Sequence, residues 1–309
     1  MAENLMREKK VTREVKKFYE MIQFPGHRPM EQDSLIFLRK FSKLIDGLAN
    51  TNQNIRVLDA GCGTGNTTLA LAAQYKNVQF VGIDISTTSL DTAKKSARKK
   101  NLTNVRFSKR NLLNQFKYKK KFNVILCFGV LHHTAQMQKA LNNLYSLLEP
   151  NGTLFLWVYG KYGRYHHSLN VELLSMLLSA SQDNENHIEL TREFILKTQG
   201  GKIIKSLLGD RSEDKMLKQF FTDTTWIADQ FLNPNEFMVN MKDLIVLVKS
   251  SRFKIHEWVG APKDISKCFN SSKIEKRFRM LSSEQQMVAL DLLLKMERYF
   301  LVLKKVENN

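Results

Sequence analysis

The sequence has little of what staples, stiffens or inserts a chain. Its 309 residues include three cysteines, Cys62, Cys127 and Cys268, far apart and in no CxxC pair. That excludes a disulfide framework and the usual zinc spacings, and it suits a reducing compartment. Five prolines and 14 glycines are too few for a fibrous or disordered chain. No apolar run approaches the roughly 18 residues of a membrane-spanning helix. The longest, around 124–131 and 154–159, have buried-strand length. The first residues run into Arg7, Lys9, Lys10, Arg13, Lys16 and Lys17 with no apolar stretch behind them, so no secretory leader is expected. No acidic cluster has metal-ligand character, and no metal is expected. The expectation is a cytoplasmic protein with a globular core, since 43% of its residues are hydrophobic.

Carboxylates are also scarce, 30 against 48 lysines and arginines, for a net charge of +18. The cations cluster at 94–100 and again at 109–121. Such clusters are either an electrostatic footprint for nucleic acid, an acidic membrane surface or an anionic substrate, or plain solvated helix and loop faces. The solvated reading is the preferred one, because neither cluster combines arginine with interleaved aromatics.

Along the chain, 5–22 and 32–49 read as amphipathic helices, the first with Val15, Phe18, Tyr19 and Ile22 on one side. From 55 the pattern changes to short β-branched runs alternating with helices. Strands are expected at 55–60, 78–83, 105–107, 122–128 and 153–159, with helices at 65–75, 88–100 and 136–148. That alternation predicts an α/β fold, a doubly wound, Rossmann-like, mostly parallel sheet. From 161 to about 238 strand signals stop, which predicts a helical insertion, with Phe220, Phe221 and Trp226 in its own core. A helix at 239–250, a strand at 253–259, a helix at 282–295 and a closing strand at 299–306 would complete the sheet. The expected divisions are an N-terminal helical cap (1–50), a core (51–160), the insertion as a lid (161–238) and a C-terminal return (239–309).

The strongest chemical signal is Val57-Leu58-Asp59-Ala60-Gly61-Cys62-Gly63-Thr64-Gly65-Asn66. A strand runs into D-x-G-x-G-x-G and a helix begins. Glycines let the chain turn with positive φ and let its backbone approach a ligand. The helix start offers free N–H groups. The dinucleotide fingerprint G-x-G-x-x-G fails because Asn66 stands at its third glycine, and no G-K-[ST] follows for a P-loop. A second strand ends at Asp84, about twenty residues on, where a carboxylate accepts hydrogen bonds from ribose hydroxyls.

These residues resemble the class I S-adenosylmethionine-dependent methyltransferases. V-L-D-A-G-C-G-T-G is similar to the first motif of that family and V-G-I-D-I-S (81–86) to its second. Asn111 stands where the family usually carries Asp before its adenine-contacting pair. F-N-V-I-L-C-F-G-V-L-H-H (122–133) resembles the fourth-strand motif, and L-L-E-P-N-G (147–152) the turn after it. The resemblance implies that S-adenosyl-L-methionine is the cofactor, held by Asp59, Gly61, Cys62, Gly63, Gly65, Asp84, Ile85, Asn111, Leu112 and Phe128. Outside 55–160, Phe18-Tyr19, Phe24-Pro25-Gly26, Tyr159 to Arg164 and Phe231-Leu232-Asn233-Pro234 resemble a bacterial small-molecule subgroup.

Methyl transfer needs a positioned acceptor and, for a weak nucleophile, a base. His132 and His133 leave the carboxyl end of the fourth strand and are the candidate catalytic residues. Tyr19, Tyr159, Tyr162 and Arg164 are the candidate acceptor contacts. The expected acceptor is a small molecule or biosynthetic intermediate. The alternatives are an RNA methyltransferase that uses the basic surface, or a protein that binds S-adenosylmethionine without turnover. No [DNS]-P-P-[YFW] run and no Pro-Cys pair point to DNA amino groups or to covalent attack on a pyrimidine.

Because Asn66 replaces the third fingerprint glycine, S-adenosylhomocysteine should raise the melting temperature and NAD should not. A thermal-shift panel checks this; stabilisation by NAD alone would overturn the assignment of the turn.

Overall fold

The computed structural model describes residues 2–25, 32–50, 54–180, 186–199 and 223–306. Two helices come first, α1 (Ala2–Met21) and α2 (Gln32–Ala49). Strands and helices then alternate as β1 (Arg56–Ala60), α3 (Asn66–Gln74), β2 (Gln79–Asp84), α4 (Thr87–Lys99), β3 (Val105–Lys109), β4 (Phe122–Phe128), α5 (Met137–Leu147) and β5 (Leu148–Tyr159). The insertion contributes α6 (Tyr165–Ser179), α7 (His187–Lys197) and α8 (Thr224–Phe231). The chain returns through α9 (Met241–Ser250), β6 (Phe253–Val259), α10 (Ser272–Arg279), α11 (Ser283–Leu294) and β7 (Arg298–Lys305).

The strands form one sheet in the order β3-β2-β1-β4-β5-β7-β6. β1 to β5 are mutually parallel, and β7 lies antiparallel between β5 and β6. The strands read as nearly continuous apolar runs because helices cover both faces. Side chains alternate between two cores. Leu58, Ile83, Ile125, Cys127, Leu154 and Leu156 face α5, α9 and α11. Val57, Phe80, Val124, Leu126 and Phe155 face α2 and α3. The insertion has a small core of its own, Leu174, Phe194, Ile195 and Phe231, with Trp226 against it.

Two expectations change, and one helix is new. Residues 1–50 do not form one cap. Phe37, Phe41 and Ile45 of α2 are buried in the sheet's second core, whereas α1 crosses the carboxyl edge. β5 begins at Leu148 rather than 153, because the Pro150-Asn151-Gly152 turn is absorbed as a register shift against β4, with Asn151 at φ 59°. Helix α10 had no expectation, since Phe278 alone of its eight residues is buried and leaves no apolar period to read. Phe220, Phe221 and Gly26 lie outside the described residues. No helix among the described residues is long and apolar enough to cross a membrane.

Phe41 is fully buried against Tyr75 and Phe155. Phe41→Ala should lower stability by about 3–5 kcal/mol, read as a shifted urea midpoint at unchanged slope. A loss below about 1 kcal/mol would make α2 a separable appendage.

Candidate functional site

The strand order reverses at β1, which has β2 on one side and β4 on the other. An open α/β sheet leaves a crevice at such a point, outside the carboxyl ends of its strands. A cavity occupies it. The turn after β1 contributes Asp59, Gly61, Cys62 and Gly63. The end of β2 adds Ile83, Asp84 and Ile85, the loop after β3 adds Asn111 and Leu112, and the segment after β4 adds Phe128, Gly129, Val130 and His133. The roof comes from α1 and the residues after it, Thr12, Val15, Tyr19, Phe24 and Pro25.

The turn is glycine-rich because backbone lies on backbone. Gly63 has φ 52°, and a Cβ there would sit 2.3 Å from the carbonyl oxygen of Phe24. The Thr64 N–H donates to that same carbonyl at 3.2 Å. Gly65 has a different task from the one expected and does not line the cavity. It opens α3 at φ 79°, and a Cβ would meet Ala93 Cβ at 3.0 Å and the Phe107 ring at 3.1 Å. Its bareness sets how closely the turn sits on α4 and β3.

Side chains far apart in sequence fasten the α1 strap. Glu20 accepts hydrogen bonds from the N–H groups of Thr87 (2.9 Å) and Thr88 (3.0 Å), at the start of α4. Ser86 Oγ accepts from Ser89 N–H at 3.2 Å, so three donors of that first turn are satisfied. Burial alone would raise the Glu20 carboxyl, but these donors hold it down at about 2. At the other end, Glu8 accepts from Lys139 Nζ and Gln136 Nε2, each at 2.7 Å. Tyr19 donates its hydroxyl proton to Asp229 (2.8 Å) and accepts from Asn233 Nδ2 (2.9 Å).

Two carboxylates face the cavity. Asp84 accepts from the N–H groups of Gly63 and Ser86, each at 2.8 Å. Burial still lifts its pKa above the usual carboxylate range, against the pull of those donors. Asp59 is buried and accepts from the Thr68 hydroxyl. Burial pushes it up to about 6, the Thr68 bond opposes this, and the nearby Asp84 charge adds to it. No described cation compensates either one. Two uncompensated carboxylates beneath a glycine turn fit a ligand that brings its own positive charge. S-adenosylmethionine does so, with a sulfonium and an ammonium.

Comparison with known proteins decides the family. A family model described as a methyltransferase domain matches residues 51–208, about half of the chain. The chain belongs to the methyltransferase-domain family, the class I enzymes that use S-adenosylmethionine. An uncharacterized protein of Synechococcus sp. is 26% identical over 242 residues, covering 77% of this chain and 57% of its own length. A ubiquinone biosynthesis O-methyltransferase of Coxiella burnetii is 33% identical over 99 residues, 32% of this chain and 41% of that protein. The chain spans about half the length of the curated relatives it matches. In fold it is similar to PKMT2 from Rickettsia typhi in complex with AdoHcy, at TM-score 0.63 and 20% identity, covering 83% of this chain and 50% of that one.

In this methyltransferase domain the two histidines separate. His133 lines the cavity, and its Nδ1 lies 2.9 Å from the Asn235 carbonyl oxygen. A carbonyl only accepts, so in the neutral ring Nδ1 carries the proton and Nε2 the lone pair. His132 is fully buried, and neither ring nitrogen has a hydrogen-bond partner. Its ring sits among Trp157 (5.5 Å), Tyr159 (4.2 Å) and His133 (4.2 Å). Burial, then His133 and Arg164, hold it neutral far below its ordinary pKa.

The structure brings Tyr19 to the cavity but not Tyr159, Tyr162 or Arg164. Arg164 is buried, with its guanidinium 3.7 Å from the centre of the Tyr159 ring and hydrogen bonds of 3.1 Å to Gln230 and Glu236. Gln230 also donates to the Tyr159 hydroxyl at 2.7 Å. An arginine so placed ties β5 to the insertion and does not line the first cavity. Tyr162 lies close to Tyr299 of β7. A second cavity opens in the insertion, between Val171, Glu172 and Met176 of α6 and Gln230, Asn233 and Met238. Asn233 and Tyr19 together separate it from the first.

Replacing Asp84 by Asn keeps an acceptor oxygen but removes the charge. Asp84→Asn should weaken S-adenosylmethionine binding by about 1.5–3 kcal/mol, which isothermal titration calorimetry resolves. Equal affinities would remove Asp84 from the cofactor seat.

Proposed function

We propose that this domain transfers a methyl group to a small-molecule nucleophile and that His133 is the base. The observation that carries this is the tautomer lock, with Nδ1 of His133 pinned on the Asn235 carbonyl, which leaves the lone pair on Nε2 of a ring that lines the cavity. Asp59, Asp84 and the turn at 61–63 would hold the cofactor, with Ile85, Asn111, Leu112 and Phe128 around it. Bound S-adenosylmethionine supplies a methyl group already activated on sulfur. The protein then has three tasks. It orients the acceptor, keeps bulk water out, and takes the proton the acceptor loses. His133 Nε2 receives that proton. His132 backs it as a neutral, fully packed ring.

A small acceptor suits the enclosure. The strap roofs the cavity from Thr12 to Pro25, and Tyr19 closes it toward the insertion. The ubiquinone biosynthesis O-methyltransferase relative supports a small acceptor for the matched core segment.

Incubation of the protein with methyl-labelled S-adenosylmethionine and a small-molecule extract should label a discrete metabolite. His133→Ala should then lower turnover by about 10²–10⁴-fold while S-adenosylhomocysteine binds as tightly as before. Unchanged turnover would remove His133 as the base; label entering no metabolite of that extract but entering macromolecules of a whole-cell lysate would remove the small acceptor.

A further inference from the structure

Residues 92–148 carry thirteen lysines and arginines and not one aspartate or glutamate. Thirteen of the net +18 charges therefore fall within 57 residues, and the other 252 hold an excess of only five. A chain that is merely lysine-rich would spread its excess evenly. This one concentrates it, and the fold concentrates it further. α4 lies over β2 and β3, and β3 is the edge strand of the sheet. The loop that leaves β3 runs from Arg110 back to β4 at Phe122. Helix, edge strand and loop are thus one layer wrapped around one end of the sheet.

We propose that this layer docks the phosphate backbone of a nucleic acid strand. Lys95, Arg98 and Lys99 of α4 are exposed, as are Lys119 and Lys120 of the loop. Lys109 and Arg110 are exposed at the carboxyl end of β3, and Arg110 lines the cofactor cavity. The basic track therefore runs from the amino edge of the sheet to the rim of the catalytic pocket. α4 alone spans about 20 Å at ~1.5 Å per residue, room for several successive phosphates. Among the described residues, only Lys94 (to Asp91, 3.2 Å) and Lys139 (to Glu8, 2.7 Å) of the thirteen cations form ion pairs. The rest are charges without a protein counterpart, the condition in which phosphate binding releases counterions from the ligand.

The layer does not suit a bilayer. Surfaces that lodge in the headgroup region carry apolar anchors beside their cations. None of the large exposed hydrophobic side chains among the described residues falls within 92–148. Aromatic rings are present, but as support. Phe116 is half-buried, with the Arg110 guanidinium 5.9 Å from its ring centre. The surface is separate from the small-molecule chemistry proposed above and stands whichever acceptor the pocket takes.

Fluorescence anisotropy with a labelled 20-nucleotide oligouridylate tests this. The wild-type chain should bind, with log K falling against log salt at a slope of about −2 to −3.5, or three to five phosphates at ~0.7 each. Neutralising Lys95, Lys99, Lys119 and Lys120 together to Gln should weaken binding at least tenfold. The same number of charges removed elsewhere, at exposed Lys254, Lys267, Lys273 and Lys276, should change it less than twofold. Thermal unfolding checks that both variants fold. Equal losses in the two variants would reduce the effect to net charge and overturn the site. So would absence of binding at 100 mM salt, or tighter binding to phosphatidylglycerol vesicles than to the oligonucleotide.

Discussion

Two neighbouring carboxylates, one buried and one half-buried, with no compensating cation among the described residues, are the constraint around which this site is arranged. Asp59 and Asp84 stand at the ends of β1 and β2 in one cavity, and burial raises both. The backbone answers with N–H groups. Gly63 and Ser86 donate to Asp84, and the Thr68 hydroxyl donates to Asp59. Gly63 can do so because it turns at positive φ with no side chain to displace the strap lying on it. On the proposed reading, a cationic cofactor would supply the charge the protein withholds. The strap, fastened through Glu20 and Glu8, would keep that exchange of charge away from water.

The core was legible because its signals are local. Continuous apolar runs such as 122–128 are what strands covered on both faces require, and a turn of three glycines between strand and helix has few other uses. The parallel strands and their helices fall where the periodicity puts them, to within a few residues at their ends. What the sequence hid is long-range. Gly65 belongs to the same motif as Gly61 and Gly63, yet its neighbours are Ala93 and Phe107, and nothing local shows that. Arg164 follows β5 at the right edge for an acceptor contact, but its partners Gln230 and Glu236 lie 66 and 72 residues away. The apolar side of α1, with Val15 and Tyr19, was visible as a period. That it roofs the cavity at the carboxyl edge, with Thr12, Phe24 and Pro25, was not.

The neighbouring histidines show how packing divides two identical side chains. One register position decides that His133 meets the cavity and a fixed carbonyl, while His132 turns into a box of aromatic rings. The charge distribution makes the same point on a larger scale. Clusters that read as solvated faces along the sequence become one basic layer, with no carboxylate between residues 92 and 148, once α4, β3 and the following loop are placed together.

On the proposed reading, glycine turn and strap form one cofactor seat. Hydrogen exchange with and without S-adenosylhomocysteine tests it most directly. Amides of residues 61–67 and of residues 12–24 should gain protection together on binding, because the ligand would lie between them. Protection confined to the glycine turn, with the strap exchanging at its free rate, would contradict it.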